Sequence, residues 1–206
     1  MASIIIHLAI ANELKNRLKI DDYRDYFLGS IAPDISKQIG EDKKISHFFV
    51  SNKNVPNIDL FIKRYPTFKY NSFNLGYFIH LYTDKIWEEE IFENHFEGNS
   101  VKLLDGTIIN TTLEEYIRLI YSDYTNLNIR VIEEYNLDLS LFYEEFKTPN
   151  TFLTEIPIDK LDILINKIGI IIENSKQEKK YIIDINIVKN FIKNAVDKIY
   201  EEIEKY

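Results

Sequence analysis

Residues that interrupt helices are scarce in this sequence, and this scarcity constrains its fold more than any other feature. The 206 residues include 6 Gly and 5 Pro. Most segments between these breaks repeat apolar residues with the period of a helix, and the first segment does so at Ile6, Ile10, Leu14 and Leu18. The sequence therefore predicts an all-α protein whose multiple helices form a single domain over residues 1–206.

The same periodicity places the helices along the chain. Residues 35–55 are expected to be irregular, because Gly40 and a polar run at 41–44 interrupt the pattern. At most one small β-hairpin is predicted, near residues 101–109, where Asp105 and Gly106 favour a tight turn. Helices are predicted over residues 3–18, 22–31, 57–65, 71–92, 112–135, 138–147, 157–174 and 186–204.

Charge and composition argue against several classes of protein. Lys and Arg number 25 and Asp and Glu number 33, so the formal net charge is -8. Nucleic acid is therefore not expected as a partner, because its binding surfaces are basic. The chain has no Cys, so a metal ion would need His, Asp, Glu or carbonyl ligands. No apolar run is long enough to span a bilayer, and no signal peptide is recognised, so we expect a cytoplasmic protein.

One predicted helix carries a histidine and an aspartate four residues apart, His80 and Asp84. This spacing puts both side chains on one helix face, where they form either a hydrogen-bonded pair or two ligands of a metal ion. The other histidines favour the metal. Three of the four, His7, His47 and His80, lie among apolar or aromatic neighbours. Buried imidazoles need partners for both ring nitrogens, and convergence on one cation supplies them.

Asp34 is the remaining candidate in the first half of the chain. It follows Pro33 at the end of an apolar segment, so its carboxylate projects from a turn. One interpretation is a cap on the next helix, since aspartate is a preferred N-cap. The other is a further metal ligand beside the three histidines and Asp84.

The chain order of these residues resembles the order of the metal ligands in the zinc-dependent phospholipase C family. It is similar in the same way to the related zinc-dependent single-strand nucleases. The resemblance covers roughly residues 1–90 and rests on His7 in IIHLAIA, Asp34 in LGSIAPD, His47 in SHFF, and His80 and Asp84 in GYFIHLYTD. It implies an all-helical fold with a cluster of zinc ions. It also implies that Asp34, His47, His80 and Asp84 bind one metal ion, and that Asp84 bridges to a second ion bound by His7.

The sequence departs from that family in its later part. The family uses two more histidines and a glutamate in an HxxxE helix, whereas only His95 remains here and Asn99 stands where the glutamate would be. The third zinc site is therefore expected to be absent. The nearest replacement ligand is Asp123, which is alternatively a solvated surface residue. We expect one to two Zn²⁺ ions, a metal-binding half over residues 1–95 or 1–130, and supporting helices beyond it.

The resemblance implies a metal-dependent hydrolase of phosphoester bonds. Zn²⁺ lowers the pKa of bound water to about 7, so a metal-bound hydroxide would attack phosphorus. Asp34 is the candidate catalytic residue, as a general base, and the expected substrate is a small phosphoester or a phospholipid headgroup. Two alternatives remain. One is a non-catalytic helical module with a closed metal site. The other is a helical metal phosphohydrolase acting on nucleotides, which needs an adjacent His-Asp pair that this sequence lacks.

Overall fold

The structure, a computed structural model, describes residues 1–50, 54–140, 143–166 and 181–206. These residues are mainly helical, which confirms the predicted all-α fold. The helices in chain order are α1 (Ile4–Leu14), α2 (Tyr23–Gly29), α3 (Ile35–Gln38), α4 (Lys43–Ser46), α5 (Ile58–Arg64), α6 (Ser72–Trp87), α7 (Glu93–His95), α8 (Leu113–Glu134), α9 (helical over residues 161–166) and α10 (Ile185–Ile203).

Helix α1 is buried because its sequence is apolar on nearly all sides. The Ser3 hydroxyl caps the helix by accepting a hydrogen bond of 3.3 Å from the backbone N–H of Ile6. The same hydroxyl donates a hydrogen bond of 2.8 Å to Asn128 on α8. The helix packs against α2, α6, α8 and α10. His7 therefore enters the core one turn after α1 begins.

Helices α2 and α6 cross in close contact through two glycines. A Cβ atom on Gly29 would lie 2.1 Å from the carbonyl oxygen of Phe73, and one on Gly76 would lie 2.0 Å from that of Tyr26. Both distances are far below van der Waals contact, so any larger residue forces the two backbones apart. The crossing holds the end of α2 beside His80 on α6.

We expect Gly76→Ala to lower the free energy of unfolding by about 3 kcal/mol or more, because the added methyl group overpacks this crossing. Gly40→Ala is the control. Gly40 has a φ of 76° and nothing within 4 Å of an added Cβ, so alanine there costs about 1 kcal/mol through backbone strain alone. Equilibrium unfolding in urea measures both values. Equal losses in the two variants would contradict a close crossing at Gly76.

A small antiparallel sheet follows α7. Its strands are β1 (Phe96–Glu97), β2 (Ser100–Lys102) and β3 (Ile108–Asn110), in the order β1-β2-β3. Strands β2 and β3 form the predicted hairpin, with Val101 opposite Ile109. Strand β1 adds a second turn at Gly98 and Asn99, whose φ angles of 55° and 64° are both positive. A Gly-Asn pair between strands is a known signal for such a turn, and it identifies the strand that the prediction omitted.

The helix predicted over residues 138–147 is wrong for the residues described there, 138–140 and 143–147, which form no α-helix. The Asp138 carboxylate accepts a hydrogen bond of 2.9 Å from the backbone N–H of Ser140. Such local side-chain bonds compete with helix formation. The Arg24 guanidinium on α2 also binds the carbonyl oxygen of Lys147 at 2.8 Å. The segment therefore lies against α2 in an irregular conformation.

Several other helices keep close to their predicted positions. Thr112 caps α8 by accepting a hydrogen bond of 3.2 Å from the backbone N–H of Glu115. Helix α6 passes into a π-helical turn at Glu88–Phe92. Of the helix predicted over residues 157–174, the part from 167 onward lies outside the described residues. The segment 35–55, predicted as irregular, contains the short helices α3 and α4.

No helix among the described residues combines the length and the apolar composition that crossing a bilayer requires.

Candidate metal centre

Five ionisable side chains from four separate parts of the chain come together in the core. They are His7 of α1, Asp34 of the turn after α2, His47 directly after α4, and His80 and Asp84 of α6. The three histidines and Asp84 are at most 1% exposed. The Asp34 side chain is 11% exposed, so it lies at the edge of the cluster. The structure thus brings together the five residues that the resemblance implies as metal ligands.

Three of these side chains present atoms at the spacing of a metal coordination shell. His47 Nε2 lies 3.3 Å from His80 Nε2. Asp84 Oδ2 lies 3.4 Å from His80 Nε2 and 3.6 Å from His47 Nε2. Bonds of about 2.0–2.1 Å in a tetrahedral zinc site place adjacent ligand atoms about 3.3–3.4 Å apart. The triangle therefore has the dimensions of one face of such a site.

The Nδ1 atoms of His47 and His80 form hydrogen bonds to neighbouring turns. His80 Nδ1 lies 2.9 Å from the carbonyl oxygen of Ser30, so it donates a proton to this bond. The Ser46 hydroxyl donates to the carbonyl oxygen of Lys43 at 3.2 Å, so it accepts from His47 Nδ1 at 2.9 Å. When both rings are neutral, both Nε2 atoms then present lone pairs to each other. A cation between them removes this repulsion, and outer hydrogen bonds of this kind orient metal-binding imidazoles.

His7 extends the cluster on the other side of Asp84. Its Nε2 lies 3.4 Å from Asp84 Oδ1, which is longer than an ordinary hydrogen bond. Its ring stacks on that of His80 with 3.8 Å between the centroids. Among the described residues, neither ring nitrogen of His7 has a hydrogen-bond partner, and neither does Asp84 Oδ2. Buried polar atoms without partners are rare, and metal ions on the two sides of Asp84 would supply partners for His7 Nε2 and for this oxygen.

His47 is positioned by a strained turn. Asp42 caps α4 by accepting a hydrogen bond at its N-terminus, and His47 follows the end of that helix. Phe48 then adopts a φ of 57°, a left-handed conformation that costs about 1 kcal/mol for a residue with a Cβ. The Phe48 ring packs edge-on against Phe61 and Tyr77. This aromatic packing offsets the strain and keeps His47 directed into the cluster.

Asp34 faces the cluster from the 3₁₀ turn Ala32–Asp34. Its Oδ1 lies 3.9 Å from His47 Nε2 and 2.5 Å from Lys43 Nζ. Its side chain makes no capping hydrogen bond to α3, so the alternative interpretation as a helix cap is wrong. Burial raises the pKa of Asp34, but Lys43 and the imidazoles outweigh burial and lower the pKa below its usual value. The carboxylate is therefore anionic at neutral pH.

The charge states of the neighbouring groups also suit a cation. Burial lowers the pKa of His7. Burial, with the Lys43 ammonium nearby, holds the pKa of His47 well below its usual value. Burial raises the pKa of Asp84, but the adjacent His7 and His80 outweigh it, and the pKa of Asp84 lies well below the usual range. At neutral pH, neutral His7 and His47 thus stand beside anionic carboxylates, which are the forms that bind metal.

The cluster contains two overlapping sets of three ligand atoms, and His80 belongs to both. One set joins it with His47 and Asp84, and the other joins it with His7 and Asp34. Because His80 Nδ1 is held by a backbone carbonyl, only its Nε2 is free to bind an ion. The first set has the more compact measured geometry, so we assign His80 to that set. A second ion would then depend on His7 and the carboxylates.

Asp123 and His95, the residues considered for completing the site, lie elsewhere. The two Asp123 oxygens accept three hydrogen bonds of 2.8, 2.9 and 3.0 Å from the backbone N–H groups of residues 181–183. Asp123 is also fully buried, so it is neither a metal ligand nor a surface residue, and both predictions for it are corrected. His95 Nδ1 lies 2.7 Å from the carbonyl oxygen of Ile91. Neither residue belongs to a ligand set within the described part of the chain.

Comparison with known families agrees with this geometry. A family model described as zinc dependent phospholipase C matches residues 6–205. The chain belongs to the zinc-dependent phospholipase C family. Among curated proteins and among solved structures, no match to this chain is found. Membership of the zinc-dependent phospholipase C family supports metal-dependent hydrolysis of phosphodiesters, with zinc as the metal.

Three groups that contact the candidate metal ligands in this member of the zinc-dependent phospholipase C family were not predicted from the sequence. They are the Ser30 carbonyl oxygen, the Ser46 hydroxyl and the Lys43 ammonium. No sequence signal identifies the first two, because their roles depend on which turn packs against which histidine. Lys43 was part of a polar run that indicated only an irregular, solvated segment.

Proposed function

We propose that this protein is a zinc-dependent hydrolase of phosphoester bonds, similar in activity to phospholipase C, with one to two zinc ions at the cluster. The observation that carries the proposal is the triangle of His47 Nε2, His80 Nε2 and Asp84 Oδ2, with sides of 3.3, 3.4 and 3.6 Å. In the neutral form of both rings, two buried lone pairs face each other beside a carboxylate oxygen, and a cation would stabilise this arrangement. Their spacing fits zinc.

In this proposal His47, His80 and Asp84 would hold the first ion, with Asp34 as a further ligand at the exposed edge. His7 and Asp84 would hold the second ion. When bound, zinc supplies a water of lowered pKa and a positive charge for the phosphoryl oxygens. The ligand types are consistent with this assignment, because zinc accepts imidazole nitrogen and carboxylate oxygen.

The chain's own contribution is a fixed geometry with one open side. The Ser30 carbonyl and the Ser46 hydroxyl orient His80 and His47, so these imidazoles keep their directions when substrate binds. Of the five cluster residues, only Asp34 lines the neighbouring surface cavity, which has a volume of about 300 Å³. Substrate would therefore approach from the side of Asp34, which favours an open catalytic site over a closed structural one.

Asp34 remains the residue that we propose as catalytic, but its pKa bears on how it acts. A carboxylate whose pKa is lowered by Lys43 and the imidazoles holds a transferred proton weakly. We therefore propose that Asp34 mainly binds metal and orients the attacking water. Its predicted role as a general base has less physical support.

The substrate we propose is a small phosphoester or a phospholipid headgroup. Nucleic acid is not expected, because the chain carries a formal net charge of -8. Residues from Ala2 to Ile203 contribute to one hydrophobic core, which supports a single domain over residues 1–206. The cytoplasmic location stays a prediction from the sequence.

Wild-type protein tests the proposed function directly. We expect elemental analysis of the purified protein to find one to two zinc ions per chain. We also expect hydrolysis of para-nitrophenyl phosphoesters that a chelator abolishes and added zinc restores. Bound zinc without hydrolysis of any monoester or diester would favour the non-catalytic module. A protein that binds no divalent metal would refute the proposal.

A further inference from the structure

The cavity beside Asp34 adjoins the metal centre, because Asp34 belongs to both. Asp34, Lys37 and Lys43 line one side of it, and Tyr121 and Tyr124 of α8 line the other. Because Asp34 also belongs to the buried cluster, a molecule that reaches the metal from this side must pass these groups. The charge of the lining therefore selects among substrates.

The charged side chains of this cavity are two lysines and one aspartate, although the whole chain has a formal net charge of -8. Lys43 Nζ lies 2.5 Å from Asp34 Oδ1. Lys37, on α3, is exposed, and its Nζ lies 4.3 Å from the centre of the Tyr121 ring. Its partner in the described part of the chain is thus an aromatic ring, which holds a cation without neutralising it.

The positive character of the cavity increases when Asp34 binds a metal. The carboxylate would then share its negative charge with the metal ion, and the described lining of the cavity would offer the two ammonium groups no other carboxylate. A cavity in which one sign of charge predominates attracts ions of the opposite sign. The neighbouring cavity, which shares Tyr121, is lined by Glu88 and Glu93 instead. The lysines therefore make the Asp34 side of the metal centre selective for anions.

We propose that Lys37 and Lys43 bind a second negative charge of the substrate. The site then takes phosphoesters with at least two negative charges in preference to singly charged or zwitterionic ones. This inference rests on the proposed function and specifies its substrate class. The second charge belongs either to the phosphoryl group of a monoester or to an anionic headgroup of a diester. Lysine suits both, because its ammonium is a compact charge on a flexible stem.

Calorimetric binding of inorganic phosphate and of dimethyl phosphate to the zinc-loaded protein tests this subsite without requiring turnover. At mildly alkaline pH, phosphate carries a second negative charge and dimethyl phosphate does not. We expect Lys37→Met, which keeps the length of the side chain, to weaken phosphate binding about tenfold, the size of one charge pair at a partly solvated site. Dimethyl phosphate should bind this variant as it binds wild type. Lys37→Arg should keep most of the phosphate affinity.

Lys44→Met is the matched control, because Lys44 is exposed on α4 next to Lys43 and lies outside the described cavity lining. Lys43→Met is a second variant, measured together with its zinc content, because Lys43 contacts Asp34. Unchanged phosphate binding in Lys37→Met, or an equal loss for both ligands, would overturn the subsite. Lysine-dependent phosphate binding without hydrolysis of any ester would instead refute the proposed hydrolase.

Two substrates distinguish the source of the second charge. Para-nitrophenyl phosphate carries it on the phosphoryl group, whereas a para-nitrophenyl phosphate diester of a hydroxy acid carries it on the headgroup. We expect kcat/KM to fall in Lys37→Met for the substrate whose second charge the lysines bind. Wild-type values of kcat/KM for both substrates in this variant would overturn the subsite.

Discussion

Asp84→Asn is expected to remove most of the bound zinc and most of the stabilisation that zinc gives the wild-type protein. The two Asp84 oxygens each lie 3.4 Å from an imidazole, Oδ1 from His7 and Oδ2 from His80, so one carboxylate serves both sides of the cluster. Asparagine keeps the shape but loses the negative charge. Zinc at about 1,000 times its Kd adds about 4 kcal/mol to wild type, which raises the Tm of a chain of this size by about 10 °C. The variant should lose nearly all of that rise.

Zinc content by elemental analysis and thermal unfolding with and without zinc measure this effect. Asp123→Asn is the matched control, because it makes the same change at another buried aspartate. Asp123 accepts hydrogen bonds from the backbone of residues 181–183. Replacing this charged acceptor should lower the free energy of unfolding by about 2 kcal/mol. The zinc content should not change. Wild-type zinc content in Asp84→Asn, or zinc loss in Asp123→Asn, would contradict the assignment of the site.

Asp34→Asn is expected to lower phosphoesterase activity about 100-fold or more, because the attacking water loses its orientation, while the protein stays folded. Asp34 is the cluster residue that reaches the cavity, so its charge acts where substrate and water enter. Asparagine keeps the shape of the side chain and removes the anionic oxygen that we propose to bind metal and orient water. Activity on monoesters and diesters, measured with saturating zinc, tests this expectation.

Two controls separate the roles of Asp34. Zinc content is measured in parallel, because a variant that loses metal together with activity shows ligation alone. Asp42→Asn makes the same change eight residues along the chain. Asp42 caps α4 through a hydrogen bond of 2.8 Å from Lys44, and asparagine caps helices equally well, so this variant should keep wild-type activity. Wild-type activity in Asp34→Asn would remove Asp34 from the catalytic proposal.

Much of the fold could be predicted because helices depend on local patterns. The apolar sequence of α1 and the cap at Thr112 are both visible within a few residues. The failure at residues 138–147 has one local and one long-range cause. A side-chain bond at Asp138 competes with the helix, and Arg24, which is far away in sequence, binds the carbonyl oxygen of Lys147. Strand β1 was omitted because the turn signal at Gly98 is only two residues long.

The candidate site could be predicted in its members but not in its geometry. The spacing of His80 and Asp84 puts both on one helix face whatever the rest of the chain does. Nothing local indicates that His47 Nε2 comes within 3.3 Å of His80 Nε2. Asp123 shows the limit of residue type alone, because an aspartate on a partly buried helix face can bind backbone N–H groups as readily as metal.

The sequence by itself determined the helical class and the set of five residues chemically able to bind zinc, because helical period and side-chain chemistry are local properties. The tertiary structure alone decided which nitrogen of each histidine faces inward. It also decided that Asp34 reaches the cavity and that Lys37 and Lys43 line it. These features depend on contacts between residues that are distant in sequence. The crossing of α2 and α6 at Gly76, for example, places the Ser30 carbonyl oxygen beside His80 Nδ1.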